Sequence, residues 1–341
     1  MLKPVLKRMI EQETLTEAEA FEVMDNIMKG NIDTEQLTSF LSVLRMRGET
    51  VEELLGFTKG MREHMKTIPH NEEVLIDTCG TGGDGLSTFN ISTAVAMVLA
   101  SMHIKVAKHG NRKVSSSSGS ADVLELLGVP IDTTPDQAAH MLEEKGMTFL
   151  YAPLYHQAMK HAVPARRALG FRTVFNLLGP LSNPANSRHQ MIGIFDTSLA
   201  EKLAKTLQYL GSKHVLLVTG ENGLDEISIT GKTDMVEMKD GAIQRLEFHP
   251  EDAGLAVGHL ADIQVENSQQ SAELIQAIFE GRANESATNI VVLNAAAGMY
   301  IAQEAASIRE GVQKVQEALK EGTVLEYYRE LCRKEENIHY A

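Results

Sequence analysis

From residue 74 onward, short runs rich in β-branched and aliphatic residues alternate with longer runs of helical period. This alternation limits the fold more than any other feature of the chain. The strand-like runs lie at 74–76, 104–107, 148–151, 191–195 and 215–219, with helical patterns at 91–102, 120–128, 135–145 and 198–210 between them. Strands separated by helices predict βαβ units and a mainly parallel sheet. Near 228–248, ISITGKTDMVEMKDGAIQRLEF alternates with period two and carries turn signals at Gly231 and Asp240-Gly241. It predicts a short antiparallel excursion. Helical runs then close the chain, NIVVLNAAAGMYIA and SIREGVQKVQEALKEG.

Residues 1–70 read as helices only. Thr16 with Glu19, Thr50 with Glu53, and Asp33 with Gln36 mark three helix starts, and Gly30 and Gly48 mark stops. The expected fold is α/β. A small all-helical domain (1–70, joined by part of 160–190) precedes a larger, mainly parallel α/β domain (71–341). So small a helical unit cannot bury all its apolar faces alone, so they must pack on a second domain or a second subunit.

Four stretches could carry chemistry. DTCGTGGDGLSTFN, 77–90, joins a strand to a helix and holds Gly80, Gly82, Gly83, Gly85, Asp84 and Thr88. Such a loop offers backbone amides and a positive helix end to an anion. Its spacing fits neither the dinucleotide fingerprint nor the P-loop, which leaves a phosphate, a nucleotide or a plain turn. KHGNRKVSSSSGSAD, 108–122, follows the next strand, with Lys108, His109, Arg112 and Lys113 ahead of a serine run. Both loops leave carboxyl ends of strands, where open parallel sheets bind ligands. Two phosphate-suited loops together suit a ligand with more than one phosphate.

The third stretch, 156–185, concentrates basic residues in an acidic chain. Arg166 and Arg167 fall in one helical run, so at most one faces a pocket. Arg167 and Arg172 are read as solvated, and FNLLGPLSNPA as a turn-rich connection. In the fourth stretch Asp225 and Glu226 follow a strand as adjacent hard ligands, suited to magnesium beside phosphate.

Composition narrows the partners. The net charge of −14 lacks the basic footprint that general nucleic-acid binding needs. The absence of Trp argues against a base-stacking surface. No apolar run is long enough to cross a bilayer, and the N-terminus shows no signal-peptide pattern. Two distant cysteines, Cys79 and Cys332, make no disulfide framework or zinc pattern, which fits a reducing compartment. A cytoplasmic protein without membrane or nucleic-acid partners is expected.

GTGGD at 80–84, NIST at 90–93, KHGNR at 108–112, SGSADVLELLG at 118–128, RTVFNLLGPLSNPA at 172–185 and DE at 225–226 occur in this order. Together they resemble the anthranilate phosphoribosyltransferase family of tryptophan biosynthesis, over nearly the whole chain. KHGNR and SGSAD also resemble pyrimidine nucleoside phosphorylases of the same fold, the alternative beside a nucleic-acid-binding paralogue. GTGGD followed by NIST favours the phosphoribosyltransferase. The resemblance implies transfer of a phosphoribosyl group from phosphoribosyl pyrophosphate (PRPP) to anthranilate. It also implies Mg2+, two per subunit, a hinge between the domains, and a homodimer through the N-terminal helices.

The resemblance further assigns sites. Gly80, Gly83, Asp84 and Thr88 match PRPP contacts. Asn90, Ile91, Ser92 and Thr93 match the pyrophosphate and metal side. Lys108, His109, Gly110, Asn111, Arg112, Lys113, Val114, Ser115 and Ser116 match the phosphate-binding loop, and Ser120 a further donor contact. Gly80, Asn111 and Arg166 match the anthranilate side, and Ser92, Asp225 and Glu226 the metal ligands. No residue is assigned as acid or base; His109 and His156 are read as structural or orienting. Lys113, within the phosphate-binding loop, and Gln157 depart from the family pattern.

Overall fold

The computed structural model describes residues 2–82, 84–112 and 118–333. Four helices open the chain: α1 (Leu2–Ile10), α2 (Glu17–Met28), α3 (Thr34–Arg47) and α4 (Val51–Arg62). Thr16–Glu19 and Thr50–Glu53 form reciprocal capping boxes that start α2 and α4. Asp33 does precede α3, but its side chain caps no amide and instead accepts from the Gln36 side chain. Gly30 and Gly48 take positive φ just past α2 and α3, a conformation that ends a helix cheaply only at glycine.

Among the described residues seven strands follow: β1 (Ile76–Gly80), β2 (Val106–Gly110), β3 (Met147–Tyr151), β4 (His189–Gly193), β5 (His214–Gly220), β6 (Thr233–Lys239) and β7 (Ala242–Phe248). They form one sheet in the order β3-β2-β1-β4-β5-β6-β7. The first five are parallel, while β5, β6 and β7 pair antiparallel. The expected α/β architecture with its antiparallel excursion is therefore present. β1 begins later than its apolar run, so Asp77–Gly80 belong to the strand and the glycine loop starts at Thr81.

α5 (Ile91–Ser101) follows β1, and α6 (Ser120–Leu126) and α7 (Pro135–Lys145) follow β2. After β3 come α8 (Ala152–Tyr155), α9 (Val163–Leu169) and α10 (Val174–Leu181); α11 (Ala200–Tyr209) links β4 to β5. The chain closes with α12 (Ser268–Phe279), α13 (Glu285–Ile301), α14 (Ile308–Glu321) and α15 (Thr323–Leu331). Segment 174–181 is thus a helix and not a turn-rich connection. Asn176 Oδ1 accepts the Thr173 amide at 3.1 Å at its start, and Val174, Phe175, Leu177, Leu178 and Leu181 are buried. That burial outweighs the turn chemistry of Gly179 and Pro180.

Strand alternation sends successive side chains to opposite faces. Leu216 and Val218 join the α5–α13 core, whereas Val215 and Leu217 join the cluster of α11 and the N-terminal helices. Much of the apolar surface of α2–α4 is therefore covered by the same chain, while Met46 on α3 stays exposed. Among the described residues no helix is long and apolar enough to cross a membrane. β1 lies between β2 and β4, so the connections leaving β1 and β4 diverge and open a crevice at the carboxyl ends of the strands.

Candidate active site

β1 delivers Gly80 to the floor of this crevice, and the segment after it forms one wall. Asp84 Oδ1 accepts from the Leu86 amide at 3.1 Å, which folds the loop back on itself. Thr88 bridges Gln264, and Phe89 N donates to Ile263 O at 2.9 Å, so the loop is tied to the segment before α12. The Asn90 backbone and side chain are both held by Ser271 Oγ, at 2.9 Å each. This fixes the entry into α5, whose amino end faces the crevice.

β2 supplies the second wall. Lys108 is buried, and its Nζ donates to Thr78 O at 2.5 Å and to Ser92 Oγ at 3.1 Å. Burial lowers the Lys108 pKa, while Asp77, Glu226 and Asp225 oppose that shift. Asp77 lies beneath the wall, fully buried, and accepts the His109 amide at 3.1 Å. Ser120 Oγ donates to Asn111 O at 3.2 Å, closing the loop onto the start of α6. Arg112 forks onto Glu125 and also reaches Asp122.

β5 and its following turn bring Asp225 and Glu226 against β1. Asp225 Oδ2 accepts the Gly82 amide at 3.2 Å, and Glu226 Oε1 accepts the Ser92 amide at 3.1 Å. A side chain at Gly80 would place Cβ 2.7 Å from Asp225 Oδ2, and one at Gly193 would run into the Asp225 backbone. Glycine at both places is what admits the acidic pair. Burial raises both carboxyl pKa values, Asp84 adding to the shift at Asp225 and Asp225 to that at Glu226. Asp84 Oδ2 is itself buried without a donor. Among the described residues no three His, Cys, Asp or Glu converge as a ready-made chelate. A crowded carboxylate pair with a third beside it still suits magnesium, which takes one or two carboxylates and completes its shell with phosphate and water.

Two cavities meet here. The first, about 330 Å³, is lined by the loop after β1, the start of α5, Lys108–Arg112, Ser118–Ser120, Asp225 and Glu226. The second, about 440 Å³, is bounded by Met61, Pro153, Met159, Val163, Phe175 and Pro180 and is more apolar. Gly80, Thr81, His109, Asn111, Arg166 and Asn176 line both.

The residues expected at the site converge from five separated segments. Gly80, Asp84, Thr88, Asn90, Ile91, Ser92, Lys108, His109, Gly110, Asn111, Arg112, Ser120, Arg166, Asp225 and Glu226 all line the first cavity. Thr93 stands behind its wall, fully buried. Gly83, Lys113, Val114, Ser115 and Ser116 lie outside the described residues. Arg166 faces the cavities while Arg167 is exposed, as one helix face requires. Arg172 is a correction: it is not a solvated surface residue but lines the first cavity, 3.8 Å above the Phe195 ring. Asn176 was hidden by the turn-like look of its segment; a side-chain acceptor three residues after Thr173, at the start of an apolar run, was the available signal.

The histidines are not poised for proton transfer. Burial holds His109 at about 3 and His156 at about 4, so both rings are neutral at pH 7. Their centroids lie 5.0 Å apart. Burial, with the nearby Asp77 charge, pushes the Cys79 thiol well up, which fits a packing residue better than a nucleophile.

The sequence profile of a glycosyl transferase family, a/b domain, matches residues 72–325, and that of its helical bundle domain matches residues 3–65. The chain is 58% identical to anthranilate phosphoribosyltransferase of Geobacillus sp. (strain WCH70), covering 98% of each sequence. The crystal structure of the enzyme of that name from Thermus thermophilus superposes with a TM-score of 0.90 at 36% identity, over 96% of this chain and 98% of that one. The Saccharomyces cerevisiae protein in complex with PRPP and Mg superposes with a TM-score of 0.88 at 26% identity, over 97% and 96%. With these likenesses running the length of the chain, it belongs to the anthranilate phosphoribosyltransferase family.

Proposed function

We propose that this protein transfers the 5-phosphoribosyl group of PRPP to the amine of anthranilate. The products are N-(5-phosphoribosyl)anthranilate and pyrophosphate, a step of tryptophan biosynthesis. The shared wall of the two cavities carries this reading. A polar cavity with two phosphate-suited loops and a carboxylate pair opens, across Gly80, Asn111 and Arg166, onto a more apolar one. That is the arrangement a phosphorylated donor and an aromatic acceptor require.

In this reading the amides from Gly80 to Thr93, with Thr88, Asn90 and Ser92, hold the pyrophosphate end of PRPP. The wall from Lys108 to Ser120, including the undescribed Lys113 to Ser116, holds its other phosphate. Asp84 meets ribose hydroxyls or water on the metal. Asp225, Glu226 and Ser92 would hold magnesium, two ions per subunit, which when bound neutralises charge on the leaving pyrophosphate. Arg166 pairs with the anthranilate carboxylate, its guanidinium 5.5 Å from the Phe175 ring centroid.

The aromatic amine is uncharged at neutral pH and attacks without a base. The neutral His109 and His156 support a catalyst that works by position and electrostatics. A helical domain at 1–70, joined by part of 160–190, would move against domain 71–341 and close the cleft to water. Exposed Ile10 at the end of α1 and Met46 on α3 support a homodimer through the helical domain. A cytoplasmic location and the absence of nucleic-acid and membrane partners complete the proposal.

The test is to incubate the protein with anthranilate, PRPP and magnesium and follow anthranilate fluorescence. Loss of fluorescence that stops when magnesium is withheld supports the assignment. Phosphorolysis of a pyrimidine nucleoside with no loss of anthranilate would replace it with the phosphorylase alternative.

A further inference from the structure

Arg166 and Arg172 are the two arginines of the 156–185 stretch that line the cleft, and each sits over an aromatic ring. Each guanidinium lies against a phenylalanine ring, Phe175 for Arg166 and Phe195 for Arg172. Among the described residues neither forms an ion pair, although acidic residues outnumber basic ones 46 to 32 along the chain. A guanidinium stacked on a ring keeps its in-plane N–H donors free for an anion.

The two differ in which cavity they serve. Arg166 borders both; Arg172 borders only the polar one. Phe195, the ring beneath Arg172, lies just past the carboxyl end of β4, whose Gly193 abuts the Asp225 backbone. The Lys108–Gly110 wall is on β2, on the far side of β1. Two strand spacings, about 10 Å, therefore separate the β4 edge from that wall. A donor with phosphates at two ends has room to place one at each edge.

We propose that Arg172 is an anion-binding residue for the pyrophosphate end of the donor, acting at the β4 edge beside Asp225. This rests on the donor assignment made above. Arg172 touches the leaving group and not the acceptor, and Phe195 positions it. Its N–H donors take up negative charge as the bond from the ribose carbon to pyrophosphate breaks and the electron pair leaves with the pyrophosphate oxygen.

Arg172→Gln and Arg172→Lys in the full chain test the proposal, with isothermal titration of magnesium pyrophosphate and separate KM and kcat values for PRPP and anthranilate. Loss of one charge-assisted contact should weaken pyrophosphate binding about tenfold or more in Arg172→Gln. KM for PRPP should rise, kcat should fall, and KM for anthranilate should change less than about twofold, with Arg172→Lys intermediate. Phe195→Leu, which keeps the charge but removes its platform, should shift the same values in the same direction and serves if the arginine variants fail to fold. Unchanged pyrophosphate binding in folded variants, or an effect confined to anthranilate, overturns the proposal. Titration needs no turnover. An inactive wild type whose pyrophosphate binding still depends on Arg172 would defeat the functional assignment and leave the anion site standing.

Discussion

The amide of Ser92 donates to Glu226 Oε1 at 3.1 Å, joining the first turn of α5 to the acidic pair 134 residues later in the chain. The Ser92 hydroxyl meanwhile takes the Lys108 ammonium. One residue thus ties the loop after β1, the end of β2 and the turn after β5 into a single site.

Asp225→Asn combined with Glu226→Gln should test the metal assignment from this junction. Turnover at limiting magnesium should fall by roughly two orders of magnitude or more. Magnesium titrations of wild type and double variant check it. Normal turnover at limiting magnesium would remove the pair from the metal site.

Arg166→Ala should raise KM for anthranilate by about tenfold, the loss of one charge-assisted pair, with a smaller change for PRPP. Initial rates with each substrate varied in turn give the answer. An unchanged anthranilate KM would exclude Arg166 from the acceptor side.

Gly80→Ala should damage donor use by displacing the Asp225 carboxylate while leaving every site side chain in the sequence. Its Cβ would press on Asp225 Oδ2, at 2.7 Å, so the carboxylate or the strand must move. We expect a stability loss of about 1–3 kcal/mol together with weaker magnesium dependence. Urea melts and magnesium titrations on one preparation check both, and wild-type behaviour in both would show that the site absorbs the methyl.

Glu53 anchors the helical part. It is fully buried, accepts Leu15 N and Thr50 N at 2.9 Å each, and pairs with Arg47. Glu53→Ala leaves those donors and a buried guanidinium without their partner, at a cost of about 3–5 kcal/mol. Chemical denaturation measures it, and a cost below about 1 kcal/mol would show that water replaces the carboxylate.

His189 links stability to pH. It is 1% exposed, neither ring nitrogen has a hydrogen-bond partner, and burial, with the nearby His214, lowers its pKa from 6.5 to about 4. A histidine with a depressed folded pKa stabilises the fold above its unfolded pKa. Between about pH 6.5 and 4 the unfolded chain binds the extra proton, so stability falls as pH falls through that window. His189→Asn should shrink the loss between pH 7 and pH 4 by on the order of 2 kcal/mol. Melts of both proteins at the two pH values decide it; parallel losses would assign the acid sensitivity elsewhere.

Much of this protein is readable because the signals are local. The caps at Thr16 and Thr50 and the glycine stops at Gly30 and Gly48 act over three or four residues, and strand-helix alternation states the fold class directly. The glycine loop and the Lys108 wall were legible because each follows a strand. Segment 174–181 was not, because Gly179 and Pro180 signal a turn locally and only the burial of Phe175, Leu177 and Leu178 makes it a helix. Arg172 was missed for the same reason: nothing next to it in sequence shows that the Phe195 ring will lie beneath it.

The sequence alone determined the helical start, the parallel α/β class, the anion-suited loops and the residue types of the site, because propensity, capping and periodicity are properties of neighbouring residues. Tertiary structure decided that β4 pairs with β1 and β5 with β4. That strand order brings Asp225 and Glu226 onto Gly82 and Ser92, turns Arg172 inward, and sets the apolar cavity against the polar one. Burial crowds the two carboxylates, and it keeps His109 and His156 neutral. Such shifts arise mainly from desolvation, and at Asp225 also from Asp84, brought close from far along the chain; only the folded protein creates either.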